Sequence, residues 1–491
     1  MAAASFSDMP QEILDEIVDH GARNAGLLRA CALVCHSLRE RAQSHLFVQI
    51  KILTTERIFQ LINLIHDNPT ISKHLEMVHV SSRQFIPVHG INTALASLLL
   101  VVKKLSPHSS LCLMVFSHAS DTEHQPRPMN HISRELLLYS MSIVTGLQLH
   151  NLTDFPAAAL FNFRCLDYVG WNKTTIRPSI GTIMGPHHMS TLPPFFFRNI
   201  TRLEIFNIDD FPAILVMNCH ALATLSLVNM SFSGPGATPA SSLPRVEDLN
   251  VSAYTFAMIE TLVDRVVDLS RLLKLRDAMK LEFEYEDEQE EDEEIVQCHR
   301  HLLSKSKYSL KTLQVLCLLR NYSSIVSTIP CPLSDIPNLE MLHVEFDCLD
   351  DSDERNSSLY LHDLLNTIDT ETTRIKSLTI QFNLVLKPIS TDERGQVHLS
   401  FLVLPLLLSH GPWADIGRSF LALANKSCTQ FRMTISYSNP DESDNYEYDG
   451  GSLTDATDTV SDMIDEWAQE FLIPDGLVRH GQTLVIAIQQ V

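Results

Sequence analysis

None of the ten cysteines forms a Cys-x-x-Cys pair, so neither a zinc site nor a redox motif is expected, and reduced, packed thiols are the default. No Gly-x-x-x-x-Gly-Lys-Ser/Thr, Gly-x-Gly-x-x-Gly, Gly-x-Ser-x-Gly or His-Glu-x-x-His occurs, which removes the common phosphate, dinucleotide, esterase and zinc-protease signatures. Lys and Arg are not clustered, and a net charge of -22 repels phosphate backbones and anionic lipid, so no nucleic-acid or membrane partner is expected. The most apolar stretches, Ala94 to Val102 and Leu399 to Leu408, fall well short of the roughly 20 residues of a membrane helix, and Pro405 interrupts the second. Met1 to Gln11 carries Asp8 but no basic start and no long apolar run, so a secretory segment is not expected and the chain is expected in the cytoplasm or nucleus. On that reading the Asn-x-Ser/Thr triplets at Asn151, Asn172, Asn199 and Asn229 are chance.

What the chain does contain is apolar material, 45% of 491 residues against 20% charged, enough for two to four domains or for one long repeat array. Its first fifty residues read as three short helices. In the first, Ser7 and Asp8 are candidate caps, Pro10 presets the first turn, and Ile13, Leu14, Ile17 and Val18 recur at helical spacing before Gly21. The second, from about Ala25 to Cys35, presents Leu28, Cys31 and Cys35; the third, Ser37 to Phe47, presents Leu38, Ala42 and Leu46. A unit this small cannot cover all its apolar faces, so the next domain or a partner has to.

Met9-Pro10 at the first helix and Val34-Cys35-His36-Ser37-Leu38 later resemble the Leu-Pro and Val-Cys-x-x-Trp of an F-box, with Met9 and Leu38 as apolar replacements of the usual Leu and Trp. The resemblance implies a module over 5–52 that docks the Skp adaptor, and through it a cullin, with Met9, Pro10, Ile13, Leu14, Ile17, Leu28, Val34 and Cys35 as adaptor-contact candidates, some of them internal core.

Beyond residue 70 an apolar residue is repeatedly followed by others three and five positions on. Leu75-x-x-Val78-x-Val80, Val144-x-x-Leu147-x-Leu149, Ile200-x-x-Leu203-x-Ile205 and Leu222-x-x-Leu225-x-Leu227 show it, and it continues at Val246, Leu310, Leu339 and Ile375. The last pair of each reads as a half-buried strand. The register resembles a leucine-rich repeat, irregularly spaced, with Asn151, Asn207 and Asn229 one place before the usual repeat asparagine. Helices are expected over Ile91 to Leu105, Ala253 to Lys274, Ser358 to Thr367 and Val460 to Leu472, with a last strand over Gln482 to Val491 and a cap around Trp467. Exposed acidic insertions are expected at 282–294, where ten of thirteen residues are acidic, and at 439–465, with a further loop at Pro235 to Pro244.

The expected fold class is therefore α/β: a three-helix module, then over 53–491 an irregular solenoid with parallel strands inside and helices outside. The function implied by the resemblance is the substrate-recognition subunit of a Skp-cullin-F-box ubiquitin ligase, holding an unidentified protein target on the repeat domain, with no catalysis and no cofactor or metal of its own. His187-His188 reads as a surface loop, Cys31 and Cys35 as core, and His362-Asp363, which could be cast as a base and its orienting partner, as a chance pair with no nucleophile placed beside it. A repeat scaffold outside any ligase is the alternative, and a hydrolase or ligand sensor a third class. The first two separate on whether Pro10 and Ile13 project outward or are covered by residues near Val48 to Leu64; the third needs a deep pocket with convergent polar groups.

Overall fold

The computed structural model describes residues 9–22, 24–52, 54–81, 89–106, 111–116, 144–151, 155–156, 165–174, 176–177, 199–233, 243–252, 255–282, 289–320, 333–348, 353–369, 374–385, 387–391, 397–400, 412–426, 428, 430–438 and 483–490. The segments expected at 439–465 and around Trp467, the His187-His188 pair and most of the loop from Pro235 lie outside the described residues. The chain divides into two compact units, Met1–Leu222 and Ala223–Val491.

The first unit opens with α1 (Gln11–His20), α2 (Ala25–Val34) and α3 (His36–Phe47), close to the three helices expected. Strand β1 (Gln49–Ile52) follows at once and pairs in parallel with β2 (Met77–Ser81), so the helical module ends at Phe47 and 49–52 belong to the sheet. Helices α4 (Thr55–Asp67), α5 (Ile71–His74) and α6 (His89–Leu105) and strands β3 (Cys112–Phe116), β4 (Gly146–His150), β5 (Phe155–Pro156), β6 (Tyr168–Asn172), β7 (Ile176–Arg177) and β8 (Arg202–Pro212) complete it, β5 and β7 forming a small separate pair. The main sheet runs β1-β2-β3-β4-β6-β8, every pairing parallel.

The apolar alternation becomes ladders across this sheet. Ile50, Val78, Leu113, Leu147, Val169 and Leu203 stand in register, and two residues on so do Ile52, Val80, Val115, Leu149, Trp171 and Ile205. Leu75, Leu111, Val144, Leu166 and Ile200 are buried in the turns leading into the strands. Period-two alternation fixes register here, because a slip of one residue would turn every ladder member to the other face.

The second unit is built the same way. Its main strands are β9 (Thr224–Ser233), β10 (Asp248–Ser252), β11 (Lys274–Glu282), β12 (Thr312–Arg320), β13 (Met341–Cys348), β14 (Ser377–Val385), β17 (Gln430–Ser438) and β18 (Thr483–Gln490), paired in that order and all parallel. A hairpin, β15 (Lys387–Thr391) with β16 (Val397–Ser400), stands apart and is antiparallel. After the five-residue α7 (Ala213–Met217) of the first unit, the helices are α8 (Phe256–Thr261), α9 (Gln289–Ser306), α10 (Asp353–Asn366) and α11 (Trp413–Lys426). Helices α8, α9 and α10 pack on β9, β11 and β12 respectively. Between β13, β14, α10 and α11, Phe346 stacks on Phe382 at 5.1 Å, and Tyr360 and Trp413 meet these rings edge-on.

Three expectations are corrected. The helix expected to reach Lys274 stops as α8 and a π-turn over Leu262–Val266, because β11 starts at Lys274. The second half of the acidic run is helix, not loop: α9 begins at Gln289 and its buried Cys298, Leu302 and Leu303 anchor the acidic first turns. Strand β11 itself was hidden because Leu272-x-x-Leu275 is followed not by an apolar residue but by Asp277, which stands between Val251 and Val315 in the second ladder. Fully buried Asp277 is met by Nδ1 of buried His299 from α9.

The asparagines have a geometric reason. Asn151, Lys173 and Asn207 lie two residues beyond the second ladder in three neighbouring strands of the first unit, and all have positive φ, 54°, 48° and 53°. Asn229 repeats this in β9 with φ 47°. Asn tolerates this left-handed region better than most L-residues. The bent backbone stays paired: Asn151 N–H donates to Asn172 O and Lys173 N–H to Phe206 O, each at 3.0 Å.

Candidate docking site

The helical module has a core of its own, made by Leu14, Val18, Leu28, Leu38 and Ala42, against which Cys31, Ala32, Cys35 and Leu46 pack. Leu38, at the place of the F-box Trp, is core. Pro10 is the N-cap of α1, extended at φ -54° and ψ 142°, one step before the first-turn position expected; its carbonyl accepts Ile13 N–H at 3.1 Å. Asn24 caps α2 by accepting Leu27 N–H at 3.0 Å. Gly21 ends α1 with negative φ, and the tip of the exposed Leu27 side chain rests where a Cβ would be. Asp19 ties α1 to α3, accepting two bonds from Arg41 at 2.6 and 2.7 Å and one contact from His45 at 2.6 Å. Arg41, then His45, hold its carboxyl well below the usual carboxylate range.

With the core filled, the remaining apolar side chains point out. Ile13 and Ile17, four apart, share an exposed face of α1, with Ile13 45% exposed, and Met9 and Pro10 are exposed just before the helix. Leu27 joins from α2, and at its end Leu33 and Val34 are 82% and 79% exposed. Of the eight contact candidates, Met9, Pro10, Ile13, Ile17 and Val34 are on the surface, and Leu14 and Leu28 are among those that form the core. Cys35 is half-buried at the N-cap of α3, its thiol pulled down by the backbone N–H groups of Leu38 and Ser37. Leu27 and Leu33 were overlooked, since helical spacing does not tell a core face from a face awaiting a partner.

The sheet faces opposite the ladders are polar. In the first unit Gln148 Nε2 donates to Tyr168 OH at 2.7 Å, which donates to Glu204 Oε2 at 2.8 Å, while Arg202 lies 5.2 Å over the Tyr168 ring. Gly170 makes room, since a Cβ there would sit 2.8 Å from the Tyr168 hydroxyl; burial, then Glu204, push that phenol up. In the second unit Asn383 Nδ2 donates to Glu345 at 2.9 Å and to Asp347 at 2.6 Å, and burial raises the Asp347 carboxyl.

His362 Nδ1 lies 3.1 Å from Asp363, with Asn366 as its next partner. The pocket between Leu333, Ile336, Leu339, Ile368 and Ile375 is mostly aliphatic, with Ser334 and Asp369 as its polar lining. Among the described residues no group of three His, Cys, Asp or Glu side chains could hold a metal ion, and no helix is long and apolar enough to cross a membrane. No protein family, no curated protein and no solved structure matches this chain significantly.

Proposed function

We propose that this chain is a receptor subunit of a Skp-cullin-F-box ubiquitin ligase, with α1–α3 docking the Skp-type adaptor and the leucine-rich-repeat-like sheets holding a protein target. The observation that carries the reading is an independent helical core with Met9, Ile13, Ile17, Leu33 and Val34 left uncovered. A module serving only as the cap of a repeat array would bury Pro10 and Ile13 under the segment after Val48, and both are exposed. Parallel strands paired in sequence order, most with the same apolar offsets, support the repeat part. On this reading the protein makes and breaks no bonds; it raises the local concentration of target lysines near a charged conjugating enzyme.

The test is capture of purified Skp adaptor by the full chain, wild type beside Ile13→Asp and Val34→Asp. Both positions are exposed, so folding is retained. Each buried aliphatic anchor is worth about 1.5–3 kcal/mol, so each variant weakens binding at least tenfold, about 1.4 kcal/mol. Folded wild type that captures no adaptor would leave the repeat scaffold as the reading.

A further inference from the structure

We propose that the edge of the second unit where β11 to β14 begin is a docking surface for an acidic peptide segment with an aliphatic or aromatic anchor. The four turns 271–274, 307–312, 338–341 and 374–377 lie side by side through backbone bonds such as Lys311 N–H to Leu273 O and Lys376 N–H to Glu340 O. They carry six cations, Arg271, Lys274, Lys307, Lys311, Arg374 and Lys376, and one carboxylate, Glu340. That balance is opposite in sign to the chain's -22, so a local attractive field for anions sits on a surface that otherwise repels them.

Glu340 is already shared by Lys376 at 2.6 Å and Lys311 at 3.5 Å, and Lys274 reaches Asp248 at 3.3 Å. Among the described residues Arg271, Lys307 and Arg374 have no carboxylate within ion-pair distance; Arg374 meets only the Asn338 amide, at 3.2 Å. A second, independent feature shares the edge: Leu273, Tyr308 and Met341 are 41%, 71% and 50% exposed. Lys307 lies 4.8 Å from the Tyr308 ring centre, which holds a cation and an aromatic face together. Three strand steps of about 4.8 Å span roughly 14 Å, the reach of about four extended residues. Charges alone would take any polyanion, but exposed apolar groups between cations fit a chain that alternates acids with an apolar side chain. The surface belongs to the second unit and the helical module to the first, and the readout of one does not involve the adaptor, so either proposal can fail without the other.

The probe is a fluorescein-labelled peptide alternating Glu and Leu, compared by anisotropy with its Gln-for-Glu counterpart and with labelled oligo(dT), on the full chain. The Glu-Leu peptide is expected to bind wild type, with the Gln form, the Arg271→Glu/Arg374→Glu variant and the Tyr308→Ala variant each at least about tenfold weaker. All substituted side chains are exposed; should the charge reversal misfold, Tyr308→Ala decides alone. Absence of binding, unchanged binding by either variant, or tighter binding of oligo(dT) than of the peptide overturns the proposal.

Discussion

Replacing His299 by Leu takes a buried hydrogen-bond partner away from Asp277. Asp277 is wholly inside the second unit, in register with Val251 and Val315, and His299 from α9 is nearly as buried. Breaking a buried, hydrogen-bonded acid–imidazole pair by removing one partner costs about 3–5 kcal/mol. Asp277→Val restores the apolar ladder and leaves the His299 ring short of a partner, about 1–3 kcal/mol. The double variant removes both polar groups and matches the neighbouring valines, so its stability should fall within about 1 kcal/mol of wild type, giving a coupling of about 5 kcal/mol. Two compact units make a single unfolding transition an unsafe gauge, so native-state hydrogen exchange at the β11 amides should be read beside urea unfolding. A double variant as unstable as His299→Leu alone would refute the reasoning, because the pair would then not be what holds α9 to the sheet.

Lys173 occupies a left-handed position that its neighbours fill with Asn, so Lys173→Asn should raise stability by about 0.5 kcal/mol, while Asn207→Ala should lower it by about 1 kcal/mol; thermal unfolding that shifts both the same way would contradict this. Asp19 has its carboxyl depressed by Arg41 and His45, so its contribution is present above the unfolded value of about 3.9 and is lost as pH falls through the lower folded one. Acid should therefore loosen α1 from α3 below about pH 4, less so at high salt, and Asp19→Asn should lack this pH dependence in hydrogen exchange of the module.

The strands were legible where two aliphatic ladder positions followed an apolar turn residue at the repeated offset, as at Leu225/Leu227 and Leu342/Val344. They were hidden where one position was spent on something else: Asp277 in β11, or the shorter Leu111-to-Leu113 step into β3. The helix expected to run to Lys274 was overextended because Leu269, Leu272 and Leu275 also fit helical spacing, and only pairing with β10 and β12 assigns the last to a strand. In the helical module the pattern found all three helices. It did not separate Ile13 from Leu14, adjacent residues of which one is core and the other surface, because that choice depends on where α3 lies.

In the second unit the ladders run unbroken from β14 to β17 and on to β18, although long connections separate Val385 from Gln430 and Ser438 from Thr483. Register is thus stored in a handful of residues per strand and not in the length of chain between strands. Loop closure penalises added length only logarithmically. Such an array can gain or lose whole connecting segments over generations without realigning its neighbours, so novelty has room to accumulate between strands while the ladders stay nearly fixed.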